Sequence, residues 1–186
     1  MRVLLTSAGL ETEEIKDFFV KLTDKDMSLV RALFIPVAAI DADAVAVLPK
    51  CMNDLLKCGI LNENITVYDL HRGMEIGELM GYDVVYLCGG QTRYLLQRIN
   101  ETGFDHSLKE YIRRDGVVLG VSAGSIIFAN NIPGNLGLID TKLDVHCAEG
   151  EKRGKAAYPL KNPLRLTNTC ALVIRDFPDG LEIIGE

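Results

Sequence analysis

The sequence of 186 residues has no tryptophan, three histidines and five cysteines. An odd number of cysteines without a C-x-x-C pair argues against a disulfide framework, so we expect reduced thiols and a cytoplasmic protein. The longest apolar run, Val117 to Ala129, is interrupted by glycine and serine and is too short to cross a membrane. The opening segment turns polar at Thr6, before the apolar region of a signal peptide could form. No membrane partner is expected.

Basic residues are also fewer than acidic ones. The chain has 26 acidic and 20 basic residues, which gives a formal net charge of −6. This balance argues against a broad nucleic-acid-binding surface, although it leaves room for a local basic pocket. A hydrophobic fraction of 48% is that of an ordinary globular protein, and the length suits one domain, residues 1–186.

Apolar runs alternate with helical stretches through most of the chain. The predicted strands are Arg2–Leu5, Ala32–Pro36, Ile65–Leu70, Val84–Cys88 and Val117–Val121. The predicted helices are Glu11–Leu22, Ala42–Cys58, Arg93–Ile99 and Phe104–Arg114. This alternation predicts an α/β fold, in which helices cover both faces of a mostly parallel sheet. A terminal hairpin is expected from Ala171–Arg175 and Leu181–Ile184, around the turn Pro178-Asp179-Gly180.

A serine flanked by glycines follows the last predicted parallel strand. The segment Gly120-Val121-Ser122-Ala123-Gly124 fits the G-x-S-x-G nucleophile elbow, in which a sharp strand-to-helix turn exposes the serine hydroxyl. The amide of Ala123, the residue after the nucleophile, would then donate to an oxyanion. A turn without chemistry is the alternative, because such short motifs also occur by chance.

A serine nucleophile needs a base, and histidine is the usual one. Of the three histidines, His146 follows the elbow in chain order and is the best candidate. His71 lies after a strand and is the replacement, whereas His106 opens a polar helix and suits a surface role. The two glycines of Gly89-Gly90-Gln91-Thr92, after another strand, would let backbone approach a substrate and offer a second oxyanion donor.

Together these motifs resemble a known family. Val85–Thr92, with its Gly-Gly-x-Thr, followed about thirty residues later by Gly120–Ser125, is similar to the peptidase E family of serine peptidases, which includes the aspartyl dipeptidases. The beginning Leu4–Gly9, the segment Phe34–Ala39 and the ending Leu181–Glu186 share the resemblance. It implies a three-layer fold like that of class I glutamine amidotransferases (flavodoxin-like), with serine in place of their cysteine and no metal or cofactor.

The resemblance also implies roles for individual residues. Ser122 would be the nucleophile, His146 the base and Gly90 the oxyanion glycine, while Gln91 stands where the family has an Asn beside the threonine. The family's Pro-His-aromatic context is replaced by Val145-His146-Cys147, and the segment after it is shorter than usual. The third catalytic residue falls at Asn168, which can orient an imidazole. Asp140 and Asp144 stay open as alternatives.

The expected substrate is a dipeptide or short peptide, with N-terminal aspartate as the family's best-known preference, and the expected state is a monomer or homodimer. An acidic substrate would need a cation, for which Arg153 is the first candidate and Arg93 the second. One rival hypothesis is an inactive family member that binds a small acidic ligand or peptide. Another is a cysteine hydrolase, but Cys88 and Cys147 do not lie at the elbow.

Overall fold

A computed structural model describes residues 1–175 and 178–185 of the chain; residues 176, 177 and 186 lie outside the described ranges. The strands are β1 (Arg2–Thr6), β2 (Ala32–Ile35), β3 (Ile65–Val67), β4 (Val84–Leu87), β5 (Val117–Val121), β6 (Leu143–Asp144), β7 (Gly154–Lys155), β8 (Leu164–Arg165), β9 (Cys170–Ile174) and β10 (Leu181–Gly185). The α-helices are α1 (Glu13–Thr23), α2 (Ala42–Lys57), α3 (Ile76–Leu79), α4 (Thr92–Glu101), α5 (Phe104–Arg113) and α6 (Ala123–Ile126).

Among the described residues, eight strands form one sheet in the order β3-β2-β4-β5-β1-β9-β10-β7. The first five are mutually parallel. The other three pair in antiparallel fashion, beginning with β9 against β1. Strands β6 and β8 form a separate parallel pair. The mostly parallel sheet predicted from the sequence is therefore confirmed, as is the antiparallel β9–β10 hairpin.

Both faces of the sheet are buried. In β4, Val85 and Leu87 belong to one apolar cluster, while Val84 and Tyr86 belong to the other, because alternate side chains of a strand point to opposite faces. Helices α3, α4, α5 and α6 supply the first cluster. Helices α1 and α2 supply the second. The result is the predicted three-layer sandwich, and it explains why the central strands read as continuous apolar runs.

The predicted elements differ from the observed ones mainly at their ends. The largest difference is β3, which ends at Val67 rather than Leu70. Tyr68 still donates a backbone hydrogen bond to Phe34, but Leu70 has a φ of 53°, and this left-handed residue turns the chain away from the sheet. His71 therefore lies beyond that turn.

The arrangement of the central strands determines where a site can form. Strand β5 lies between β4 and β1, and all three run in the same direction. Their carboxyl ends therefore meet at one rim of the sheet, where open α/β sheets bind ligands. Ser122 follows β5, Gly89 lies just beyond β4, and Ser7 follows β1.

Candidate active site

The turn after β5 holds Ser122 in an unusual backbone conformation. Its φ is 49° and its ψ is −109°, a region that residues with a Cβ rarely occupy. Ser122 N donates to the carbonyl of Thr6 at 2.9 Å, and the Ser122 carbonyl accepts from the first turn of α6. The strained serine is therefore fixed between β1 and a helix start, as in a nucleophile elbow.

Glycine is required on both sides of this serine. A Cβ on Gly124 would lie 2.2 Å from the carbonyl oxygen of Leu87, and a Cβ on Gly120 would lie 2.5 Å from that of Gly124. Both distances are far below van der Waals contact. The glycines thus allow α6 to pack directly against the backbone of β4 and β5.

A buried hydroxyl braces the same turn. Ser125 Oγ lies 2.8 Å from the carbonyl oxygens of Thr6 and Gly120 and accepts from Thr6 N at 3.0 Å. Ser125 is fully buried, so these contacts satisfy a polar group that would otherwise be costly to bury. The bracing role of Ser125 was not predicted from the sequence.

The structure brings Ser122, His146 and Asn168 together. Nε2 of His146 lies 3.1 Å from Ser122 Oγ, and Nδ1 lies 2.7 Å from Asn168 Oδ1. Since Oδ1 can only accept, Nδ1 carries the proton, which leaves Nε2 free to accept from the serine hydroxyl. Ser122 is half-buried, whereas His146 and Asn168 are exposed. The arrangement can remove a proton from the serine.

His146 is held through its backbone by residues distant in sequence. Its φ is 57°, and its N–H donates to Ser7 Oγ at 3.2 Å. The buried Ser7 hydroxyl in turn donates to the carbonyl of Leu166 at 3.0 Å, and Cys147 N donates to that same carbonyl. The imidazole is thereby positioned between the end of β1 and the chain after β8. This role of Ser7 was not predicted.

The alternatives for base and orienting residue lie elsewhere. His71 is 60% exposed and pairs with Asp69, and His106 is 86% exposed on α5. Asp140 accepts from Tyr158 Oη at 2.7 Å. Asp144 would share the direction of His146 only if one strand held both, but β6 ends at Asp144 and His146 is left-handed. Asn168 is the candidate that contacts the imidazole.

The predicted oxyanion donors lie on two neighbouring turns. Gly90 has a φ of 134°, and a Cβ there would lie 2.1 Å from the carbonyl oxygen of Ala38. A Cβ on Gly89 would lie 3.2 Å from Ser122 Cβ, so the two-glycine turn packs against the nucleophile. Within the described part of the chain, neither Gly90 N nor Ala123 N donates to a protein acceptor. Gly90 is exposed, whereas Ala123 is almost fully buried.

A cavity of about 190 Å³ opens onto this site. It is lined by Ser7, Ala8, Ala44, Val47, Leu48, Lys50, Cys51, Gly89, Gly90, Val121, Ser122 and His146. Gln91 is exposed before α4 and is not among the lining residues, nor are the two predicted cations, Arg153 and Arg93. Arg153 instead pairs with Glu14 on α1 at 2.6 Å. The lining contributed by α2 was not predicted from the sequence.

Cys51 lines the cavity and is itself buried. The neighbouring Cys88 thiol lowers the pKa of Cys51, against the opposing effect of burial. Burial raises the pKa of Cys88 and raises that of Cys58 to about 11. Neither Cys88 nor Cys147 occupies the elbow. The cysteine-nucleophile hypothesis gains no support from this geometry.

Residues 1–175 and 178–185 contain no group of three or more histidine, cysteine or acidic side chains that could hold a metal ion. None of the helices in these ranges is long and apolar enough to cross a bilayer.

Comparisons with known proteins place these features in a family. The model of peptidase family S51 matches residues 3–142. This range covers most of the chain, including Ser122, and ends just before His146. The chain therefore belongs to peptidase family S51, the family of peptidase E.

Similar proteins agree with this assignment. An uncharacterized peptidase of Listeria monocytogenes is 28% identical over 123 residues, which cover 65% of this chain and 60% of that protein. An uncharacterized peptidase of Bacillus subtilis is 48% identical over 48 residues, 26% of this chain and 21% of that protein. The matched segment thus spans three fifths or less of these relatives.

A solved structure shares the fold. The crystal structure of a Listeria monocytogenes protein assigned as a peptidase E superimposes with a TM-score of 0.72 at 22% identity, covering 100% of this chain and 97% of that one. A structure of this similarity supports the three-layer fold inferred from the sequence.

Proposed function

We propose that this protein is a serine peptidase that hydrolyses dipeptides or short peptides through an acyl-enzyme formed on Ser122. The observation that carries the proposal is the chain of contacts from Ser122 Oγ through His146 to Asn168 Oδ1. It joins a nucleophile, a base and an orienting group, which together make a serine reactive at neutral pH.

The proposed reaction begins when Ser122 Oγ attacks the peptide carbonyl and its proton passes to His146 Nε2. The N–H groups of Gly90 and Ala123 stabilise the oxyanion of the tetrahedral intermediate. When the C–N bond breaks, His146 donates the proton to the leaving amine. Water then attacks the acyl-enzyme with His146 as the base, which releases the acid and regenerates the serine.

Asn168 differs from the carboxylate of many such triads because it carries no charge. Its Oδ1 can fix the tautomer and orientation of His146, but it stabilises the imidazolium less than a carboxylate does. The proposed enzyme therefore depends on positioning more than on electrostatic activation by its third residue.

N-terminal aspartate is the substrate preference that the family resemblance suggests for this proposed activity. Recognition of the aspartate side chain would require a cation near Ser122, for which Arg153 was the first candidate. Comparing Asp-Leu with Leu-Leu hydrolysis in the wild type and in Arg153→Ala tests this preference. Equal selectivity in both proteins would show that Arg153 does not recognise the aspartate.

A fluorophosphonate probe tests the proposed mechanism without knowledge of the substrate. We expect the probe to label the folded wild-type protein at Ser122 and to leave Ser122→Ala unlabelled, because only an activated serine reacts. Circular dichroism of both proteins checks that the fold is kept. A wild-type protein that stays unlabelled and cleaves no member of a dipeptide library would contradict the proposal, and would favour the inactive, ligand-binding alternative.

A further inference from the structure

One wall of the cavity is an apolar helix face. Ala44, Val47, Leu48 and Cys51 of α2 line it, and their spacing of three, four and seven residues places them on one side of the helix. Helix α2 follows the carboxyl end of β2, at the rim of the sheet where β5 ends and Ser122 begins the next turn. Its first turns and Ser122 therefore line the same cavity.

The opposite wall is the candidate active site itself, formed by Gly89, Gly90, Ser122 and His146. Any group that fills the cavity therefore lies next to the scissile bond. An apolar protein cavity of about 150 Å³ holds a benzene-sized molecule. The volume of about 190 Å³ thus suits one substrate side chain of the size of leucine or phenylalanine.

The charges around the cavity favour such a side chain over an acidic one. Among the described residues, Lys50 is the one lysine or arginine of the lining. Its Nζ already donates to the carbonyl of Ala8 at 2.9 Å and to the carboxylate of Glu11. A substrate carboxylate would lose its hydration on entry and meet a cation whose charge is already compensated.

We propose that this cavity selects an apolar substrate side chain at one of the two positions flanking the scissile bond, with Val47 of α2 as a specificity-determining contact. The proposal rests on the proposed peptidase function and departs from the aspartate preference that the family resemblance suggests. Apolar dipeptides are the substrate class that it names.

Two valines of α2 provide a matched test. Val45 and Val47 are both 49% exposed, but only Val47 lines the cavity. With Leu-Ala, Ala-Leu, Asp-Ala and Ala-Asp as substrates, we expect leucine to exceed aspartate by about tenfold or more in kcat/KM at one position, as apolar pockets discriminate. Val47→Asp should remove that preference, and Val45→Asp should leave it unchanged.

Binding of the uncleaved dipeptides separates this proposal from the proposed function. In the Ser122→Ala background, calorimetry should show tighter binding of the preferred leucine dipeptide, weakened by Val47→Asp and not by Val45→Asp. This result would support the pocket even if wild-type hydrolysis were absent. Preferential binding or cleavage of the aspartate dipeptides, lost in Lys50→Met, would overturn it, as would equal effects of the two valine variants.

Discussion

The two halves of the candidate site are built in different ways. The turn that carries Ser122 has a local sequence signature, since Gly120 and Gly124 permit the close packing that it needs, and Thr6 of β1 then braces it through hydrogen bonds. The segment that carries His146 has little regular structure, and its contacts reach residues 22 positions away at Asn168 and 139 positions away at Ser7. The nucleophile turn can therefore be recognised from a local motif, whereas the position of its base depends on contacts that no local motif contains.

The largest expected effect removes the base and leaves the turn intact. His146→Ala should lower kcat/KM by about 10³-fold or more, because the members of such a unit act together. The measurement is dipeptide hydrolysis together with fluorophosphonate labelling of Ser122. The control is His71→Ala, which changes an exposed histidine outside the cavity and should keep wild-type rates. Equal losses in both variants would contradict the assignment of His146.

The next largest effect is expected from a substitution that disrupts the turn carrying Ser122 and leaves His146 unchanged. Gly124→Ala places a Cβ 2.2 Å from the carbonyl oxygen of Leu87, and we expect the free energy of unfolding to fall by about 1–3 kcal/mol, as for an overpacked core. Urea denaturation measures the change. A Cβ on Gly77 in α3 meets nothing within 4 Å, so Gly77→Ala is the control and should be neutral or slightly stabilising. A Gly124→Ala variant as stable as the control would show that the turn tolerates a side chain.

A smaller effect is expected from a substitution that weakens the positioning of His146 without changing His146 itself. Ser7→Ala removes the hydroxyl between His146 N and the Leu166 carbonyl, so we expect a loss of about 1–2 kcal/mol in stability and about tenfold in kcat/KM. Labelling rates and thermal unfolding measure the two effects. Ser28→Ala removes an exposed hydroxyl that bonds Asp26, and serves as the control. An unchanged turnover in Ser7→Ala would show that the other contacts suffice to hold the base.

The smallest expected effect sharpens the role of the third residue. Asn168→Asp keeps an acceptor 2.7 Å from His146 Nδ1 and adds a negative charge, which favours the imidazolium. The acidic limb of the pH–rate profile should therefore move to higher pH, with maximal kcat/KM within about threefold of the wild type. Asp144→Asn, which changes a carboxylate not bonded to the imidazole, is the matched control. A profile that moves only in the control would assign the third role to Asp144.

The sequence predicts well those strands and turns that have a recognisable pattern within one short segment. Val117–Val121, followed by a glycine-flanked serine, identifies both the strand and the turn, because buried parallel strands and tight turns leave local signatures. Asn168 could not be separated from Asp140 and Asp144, since the choice depends on the left-handed backbone of His146 and on the path of the chain after it. The ion pair of Arg153 with Glu14 was not predicted for a similar reason, because Glu14 lies on the first helix, far from Arg153 in the sequence.

The apolar wall of the cavity shows another limit. The periodicity of Ala42–Cys58 predicts a helix, but it does not reveal which of its residues share a cavity with Ser122. That juxtaposition arises because α2 follows the carboxyl end of β2, at the same rim of the sheet as the end of β5. Val47 acquires its position near Ser122 from geometry that no single segment contains.

The contacts of His146 with Ser7 and Asn168 have a consequence for the order in which the site forms during synthesis of the chain. Strands β1, β4 and β5 are complete by Val121, so the serine turn can form while the last third of the protein is still being synthesised. Asn168 and β9, which pairs with β1, emerge much later. A nascent chain therefore carries a serine without its proton acceptor, and this site is assembled only when the closing strands join the sheet.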